Sequence, residues 1–93
     1  MIPYMPTYYG HIGGLHYVLR SLNEDLLVYY DRDIVPYLSE NIKYYEYSAF
    51  NNILLFSEKY ADGRAPIEVT LAFKWHDVTK QWLKFEPRGL TLV

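Results

Sequence analysis

The chain contains no cysteine, and this absence removes several classes of protein at once. Disulfide-stapled scaffolds, thiolate zinc sites and cysteine nucleophiles all require the missing side chain. Without disulfides, a domain of 93 residues depends on close packing or on oligomerisation for its stability. Hydrophobic residues make up 51% of the chain, so a packed core is expected rather than disorder.

Long apolar runs are also absent. The longest uninterrupted stretch of aliphatic and aromatic side chains is the five residues of segment 26–30, whereas a membrane-spanning helix needs roughly 20. The N-terminal residues have no basic lead and contain Pro3 and Pro6, so they make a poor signal peptide. We therefore predict a cytoplasmic protein, of the producing cell or of a host cell, with no membrane association.

The net charge is small, and the glycine-rich segment matches no nucleotide-binding motif. The net charge of −2 disfavours a broad phosphate-binding surface. The glycine-rich segment 10–14 has neither the Gly-Lys-Ser/Thr of a phosphate loop nor the spacing of a dinucleotide site. His11 and His16 lie five positions apart, whereas helical metal pairs lie four apart. We predict no metal, no cofactor and no enzymatic activity; a small enzyme with His11 or His16 as general base is an alternative.

Tyrosine, in contrast, is abundant, with 11 copies in the chain. The candidate binding tyrosines form clusters: Tyr8 with Tyr9, Tyr29 with Tyr30, and Tyr44 and Tyr45 with Tyr47. Neighbouring side chains cannot both face one core, because they alternate on a strand and diverge by roughly 100° on a helix. Tyrosine combines an apolar ring with a polar tip, which suits an interface. The clusters predict a binding surface; half-buried strand tyrosines are the alternative.

The spacing of apolar residues predicts one or two short helices. Leu15, Val18, Leu19 and Leu22 recur at helical spacing and predict a helix over 14–22. The same spacing after Ser48, a suitable N-cap, predicts a second helix over 49–60, which a turn at 62–63 would end.

The segment between these helices is ambiguous, and whether residues 22–47 are helical or extended stays open. Residues 26–30 favour a strand that follows a turn at 23–25. Pro36 favours a loop or a short helix over 31–41, and 42–47 is rich in strand-forming side chains.

Strict alternation of apolar and more polar residues over 67–76 predicts a strand with one buried face. Residues 82–86 are its predicted hairpin partner, and 90–93 a final strand after a turn at Arg88 and Gly89. Pairing Trp75 with Trp82 would mix apolar and charged residues on one face, so we favour the register that pairs Trp75 with Leu83.

The favoured register has a functional consequence. It places Trp82 on the outer face of the hairpin beside His76, with Lys74 and Lys84 nearby. Tryptophan is enriched among the few residues that dominate binding energies, so this cluster is a candidate binding site. A second small core around Trp82 is the alternative.

These patterns predict an α+β fold in a small single domain over 1–93, with one or two short helices packed on an antiparallel sheet. An extended N-terminal arm (1–10) precedes the helices, and a C-terminal β-hairpin with a final strand (67–93) ends the chain. A mainly β fold, with 15–22 as a strand, is the alternative.

The predicted function is a small non-enzymatic protein-binding module that acts as inhibitor, regulator or assembly subunit through a Tyr/Trp-rich surface. We expect a protein partner and self-association as a dimer, and a viral or mobile-element origin is a further hypothesis. The alternative to this module, besides the histidine enzyme, is a single-stranded nucleic-acid-binding protein that stacks bases on Trp82 and the tyrosines. The acidic net charge disfavours it.

Overall fold

A computed structural model describes residues 7–60 and 62–92 of the chain. Two short helices pack on one face of a five-stranded antiparallel sheet, and a small second sheet packs on part of the other face. The predicted α+β class is confirmed, and the mainly β alternative is wrong. Of the predicted arm, residues 1–6 lie outside the described residues, whereas residues 7–10 belong to the first strand.

The main sheet has the strand order β1-β2-β3-β5-β6, so β1 and β6 are its edges. Its strands are β1 (Thr7–His11), β2 (Tyr44–Ser48), β3 (Ile53–Ser57), β5 (Leu71–His76) and β6 (Gln81–Phe85). The second sheet pairs β4 (Ile67–Glu68) with β7 (Thr91–Leu92). Between β1 and β2 the chain forms the helices α1 (Leu15–Leu22) and α2 (Glu24–Asp33), with 3-10 turns at Ile12–Gly14 and Val35–Tyr37.

Helix α1 confirms the predicted first helix, but the strand predicted over 26–30 is wrong because α2 covers those residues. Asn23 caps α2: its side chain accepts a hydrogen bond from the Asp25 N–H at 2.9 Å. Glu24 and Asp25 then lie in the first turn, where negative charge is favourable. The predicted turn at 23–25 is this cap. The predicted loop or short helix over 31–41 is the end of α2 followed by a 3-10 turn.

The helix predicted over 49–60 is also wrong. Residues 49–52 form a turn, and β3 follows between β2 and β5. Asn52 has a φ of 59°, a left-handed conformation that asparagine tolerates better than most residues, so it suits this turn. Ser48 ends β2 and caps no helix. A short apolar run fits helical and strand spacing equally well, and pairing on both sides decides for the strand.

The favoured register of the C-terminal hairpin is wrong as well. Trp75 pairs with Trp82 and Phe73 pairs with Lys84, across a four-residue turn at 77–80. The charged Lys84 is tolerated there because β6 is an edge strand. Its Nζ lies 5.9 Å from the centroid of the Tyr37 ring, so its stem covers apolar surface while the head stays in solvent.

The alternating segment 67–76 does not form one strand, because it is interrupted between β4 and β5. Ile67 and Val69 pack with the second sheet, whereas Phe73 and Trp75 face the helices. The predicted final strand is confirmed at Thr91–Leu92, where it pairs with β4 rather than with the hairpin. The apolar residues of one alternating run therefore supply two separate cores.

The helix-facing core buries tyrosine hydroxyls, and this generates a prediction about alkaline pH. Burial raises the pKa of Tyr30 and Tyr47 to about 12, and Asp31 and Tyr8 respectively add to the effect. The ordinary pKa of a tyrosine is 10.0. Each ring's contribution to the free energy of unfolding is therefore intact below pH 10 and is lost as the pH rises toward 12. That loss amounts to roughly 2–3 kcal/mol per ring.

Tyr47→Phe should therefore flatten the alkaline fall in stability, measured by urea denaturation at a series of pH values. At neutral pH the variant should lose about 1 kcal/mol, because the Tyr47 hydroxyl donates a hydrogen bond to Asn52 Oδ1 at 3.1 Å. An alkaline slope equal to that of the parent protein would contradict the burial argument.

Candidate functional site

The predicted cluster of Trp82, His76, Lys74 and Lys84 is divided between the two faces of the main sheet. Alternation along the paired strands turns Trp82 and Lys84 toward the helices and turns Lys74 and His76 to the outer face. Trp82 is only 3% exposed and belongs to the helix-facing core, so its predicted place on the outer face is wrong, and so is the alternative of a second small core around it.

Trp82 connects β6 to the helix layer. Its indole N–H donates a hydrogen bond to the Leu26 carbonyl at 3.1 Å, and its ring packs 5.3 Å from Trp75 and 6.0 Å from Tyr47. A buried indole with a satisfied N–H stabilises the fold and offers no face on which a base could stack.

Most of the clustered tyrosines are also inside the molecule. Tyr30, Tyr44, Tyr45 and Tyr47 are buried, and Tyr8 and Tyr29 are half-buried. Adjacent rings of β2 do face opposite sides of the sheet, but both sides are covered there. Among the predicted binding tyrosines, Tyr9 is the one that projects into solvent, with 70% of its surface exposed.

Four further exposed aromatic residues lie outside the tyrosine clusters, so the clustering does not predict them. They are Tyr17 on α1, Tyr37 beside β6, Phe50 in the β2–β3 turn and Tyr60 after β3. One signal is present for Tyr17, which lies off the apolar stripe of α1. Tyr60 lies 4.4 Å from the ring of His11 and so places a second aromatic group near β1.

The second sheet covers only part of the outer face of the main sheet. It packs over Tyr44 and Ala72. The part that it leaves open is a strip across four strands, called the open strip below: Glu46, Ser48, Ile53, Lys74 and Leu83. Leu83 is 43% exposed, Lys74 is exposed, and the other three are half-buried.

The β6 edge of the main sheet is closed by side chains of α2. Asp33 Oδ2 accepts a hydrogen bond from the outward Trp82 N–H at 2.9 Å, and Arg32 Nη2 donates to the Lys80 carbonyl at 3.0 Å. Arg32 Nε also donates to Asp33 Oδ1 at 2.7 Å. The hydrogen bond from Arg32, aided by that from the Trp82 N–H, lowers the pKa of Asp33. Asp33 thereby occupies an outward N–H of β6, and Arg32 occupies a carbonyl of the turn that precedes the strand.

The histidines of the enzymatic alternative do not converge. His11 lies on the outer face of β1, whereas His16 lies on α1, with its Nε2 3.8 Å from Asp31 Oδ1. Within residues 7–60 and 62–92, no three histidine, aspartate or glutamate side chains form a group that could hold a metal ion. In the same part of the chain, no helix has the length and apolar character needed to cross a membrane.

Comparison with protein-family models, with curated proteins and with solved structures finds no match to this chain.

The buried position of Trp82 generates a prediction about stability. Trp82→Ala should lower the free energy of unfolding by roughly 3–5 kcal/mol, because it opens a cavity between β6 and α2. Urea denaturation measures the loss. Val78→Ala in the exposed β5–β6 turn is the control and should change stability by less than about 0.5 kcal/mol. A Trp82→Ala protein as stable as the parent would contradict the core assignment.

The closed β6 edge generates a prediction about acid pH. The pKa of Asp33 in the folded protein lies below the ordinary value of 3.8. The contribution of the Asp33 carboxylate to the free energy of unfolding is therefore present above pH 3.8 and is lost as the pH falls through the lower folded pKa. Asp33→Ala should cost about 1–3 kcal/mol at neutral pH, since it leaves the Trp82 N–H without its acceptor.

Urea denaturation from neutral to acid pH should show a smaller acid loss for Asp33→Ala than for the parent. Asp31→Ala, two positions earlier and with a 62% exposed side chain, is the matched control. Equal losses of neutral-pH stability in the two variants would contradict a specific role of Asp33 at the edge.

Proposed function

We propose that this chain is a small non-enzymatic protein-binding module whose partner covers the open strip. The carrying observation is that one half of the outer face is packed under a second sheet, while in the adjoining half Leu83 is 43% exposed and Ile53 is half-buried. Ile53 and Leu83 supply the apolar contact, with Lys74 between them on β5. Protein interfaces commonly combine apolar and polar side chains in this way.

The open strip is pre-organised for binding. Its residues lie on four hydrogen-bonded strands, so a partner would not have to order a loop. With neighbouring strands about 4.8 Å apart, the strip is long enough to contact several side chains of a protein. Tyr9 adjoins it, because Tyr9 pairs with Glu46 on the same face. An inhibitor, a regulator or an assembly subunit would use such a surface.

The charge of the strip disfavours the nucleic-acid alternative. The strip contains one lysine and one glutamate, whereas a groove that follows a phosphate backbone needs an excess of cations. The buried Trp82 is also unable to stack a base. A protein surface with an apolar patch and an acidic group opposite Lys74 fits better. A cytoplasmic location stays part of the proposal.

Leu83→Glu tests this proposal by placing a charge in the strip while leaving the buried side of β6 unchanged. The tagged protein and its variant are compared by affinity capture from the producing or host cell, and captured partners are then purified and titrated by calorimetry. We expect at least a tenfold weaker affinity for the true partner, which corresponds to about 1.4 kcal/mol.

Two surface variants serve as matched controls for Leu83→Glu. Val28→Glu changes an exposed side chain on α2, on the opposite side of the molecule, and Val78→Glu changes the exposed β5–β6 turn. Both should retain the partner. A partner that is lost with Val28→Glu and retained with Leu83→Glu would move the binding surface to the helices and overturn the proposal.

A further inference from the structure

The geometry points to a dimer in which the β1 strands of two copies of this chain pair antiparallel and join their main sheets into one. This inference goes beyond the proposed function, because it concerns the edge of the sheet rather than the open strip. It rests on the backbone of β1, on the contrast between the two sheet edges and on the self-complementary sequence of β1.

The backbone of β1 presents hydrogen-bonding groups outward. The Ile12 N–H donates to the Lys43 carbonyl at 2.9 Å. Bonded and non-bonded pairs alternate along an antiparallel ladder, so Gly10 and Tyr8 also bond to β2. The N–H and C=O groups of Thr7 and Tyr9 and the N–H of His11 therefore point away from the sheet, whereas the His11 carbonyl begins the 3-10 turn at Ile12–Gly14. Within residues 7–60 and 62–92, nothing hydrogen-bonds to the outward groups of Tyr9.

The two edges of the main sheet differ in how far they are protected from pairing with another strand. Proteins protect an edge strand with charged side chains, proline, bulges or covering elements. The β6 edge has partial protection, because Asp33 accepts from the outward Trp82 N–H, Arg32 bonds to the Lys80 carbonyl in the adjoining turn, and the charged Lys84 lies on the strand itself. The β1 sequence Thr-Tyr-Tyr-Gly-His has no lysine, arginine, acid or proline. It is the edge at which another strand can add.

The sequence of β1 is complementary to itself when the twofold axis passes through Tyr9. Thr7 then lies opposite the partner's His11, and all five residues of the strand are paired. On the helix side, the large Tyr8 lies opposite the partner's Gly10, which has no side chain. A centre at Tyr8 or at Gly10 would pair only three of the five residues of β1.

Exposed rings on the outer face reinforce this pairing. Tyr9 is 70% exposed and Tyr60, which contacts His11, is 51% exposed. In the dimer the two Tyr9 Cα atoms would be about 5.5 Å apart, so each ring would cover the other. Aromatic side chains are enriched in interfaces, and no like charges meet along the neutral strand. A second copy of the chain is thus the occupant that the edge fits.

Cysteine trapping tests the register directly, because the natural chain contains no cysteine to compete. Tyr9→Cys should form a disulfide-linked dimer under mild oxidation, since its Cα separation lies within the disulfide range of roughly 4.4–6.8 Å. His11→Cys alone should not, because its own copy would be roughly 13 Å away along the partner strand. A mixture of Thr7→Cys and His11→Cys should cross-link as a heterodimer.

Two results of the trapping experiment would overturn the inference. One is cross-linking of Tyr9→Cys no faster than that of Val78→Cys, whose side chain is 95% exposed in the β5–β6 turn and reports random collision. The other is faster cross-linking of His11→Cys alone than of Tyr9→Cys, which would require a different register.

Sedimentation equilibrium on chains without cysteine provides the second measurement. A single strand pair is a small interface, close to the roughly 1,000 Å² below which association is weak, so we expect a dimer that forms between micromolar and millimolar concentrations. Tyr9→Pro removes the outward N–H, a change that an edge strand tolerates, and should weaken the dimer at least tenfold. Tyr9→Thr keeps the N–H and should weaken it less. Circular dichroism confirms that each variant is folded.

Lys84→Pro makes the same change at the β6 edge and should leave the dimer intact. Loss of the dimer in Lys84→Pro but not in Tyr9→Pro would place the interface at β6 and overturn the inference. A parent protein that stays monomeric up to millimolar concentration would overturn it as well. Leu83→Glu should dimerise like the parent protein, because the substitution lies outside β1. The test of the dimer and the test of partner binding by the open strip therefore give independent results.

Discussion

Burial of β2 on both faces is the constraint on which the rest of the structure depends. Tyr44 and Tyr45 are adjacent, both are buried, and strand geometry turns them to opposite sides. A sheet that places large apolar side chains on both sides needs a covering layer on each. Helices α1 and α2 form one layer, and the short strands β4 and β7 form the other. The chain therefore builds two cores from fewer than one hundred residues.

The two layers differ in extent, and that difference creates the exposed surface. The helices reach from β1 to β6, whereas β4 and β7 are two-residue strands that cover the outer face only near Tyr44 and Ala72. The neighbouring strip is left open because no further element within residues 7–60 and 62–92 covers it. The proposed binding surface is thus a consequence of a short second layer rather than of the tyrosine clusters, most of which stabilise the fold.

The ends of the sheet show a second asymmetry. At β6, the end of α2 lies close enough for Asp33 to accept from the Trp82 N–H and for Arg32 to donate to the Lys80 carbonyl in the preceding turn. The Trp82 indole also donates a hydrogen bond to the Leu26 carbonyl of α2. At β1 no equivalent pair of side chains is present among the described residues. Side chains of α2 therefore protect part of the β6 edge, and no described side chain gives the β1 edge the same protection.

The sequence by itself determined the features whose signal is local. The apolar spacing around Leu15 and Leu19 is sufficient for α1, and strand-forming residues predict β2, the hairpin and the final strand. The start of α2 is also predictable from the sequence, because Asn23 followed by two acidic residues is as typical of a helix N-terminus as of a turn.

Only the tertiary structure decided the rest. The residues of α2 and β3 carry apolar side chains that suit helix or strand, so the choice depended on which neighbours they bury against. The hairpin register depended on its turn and on solvent beside Lys84, neither of which the apolar pattern of the two strands contains. Whether Trp82 or Tyr9 meets solvent followed from the placement of two covering layers, since exposure belongs to the packed molecule and not to any single segment.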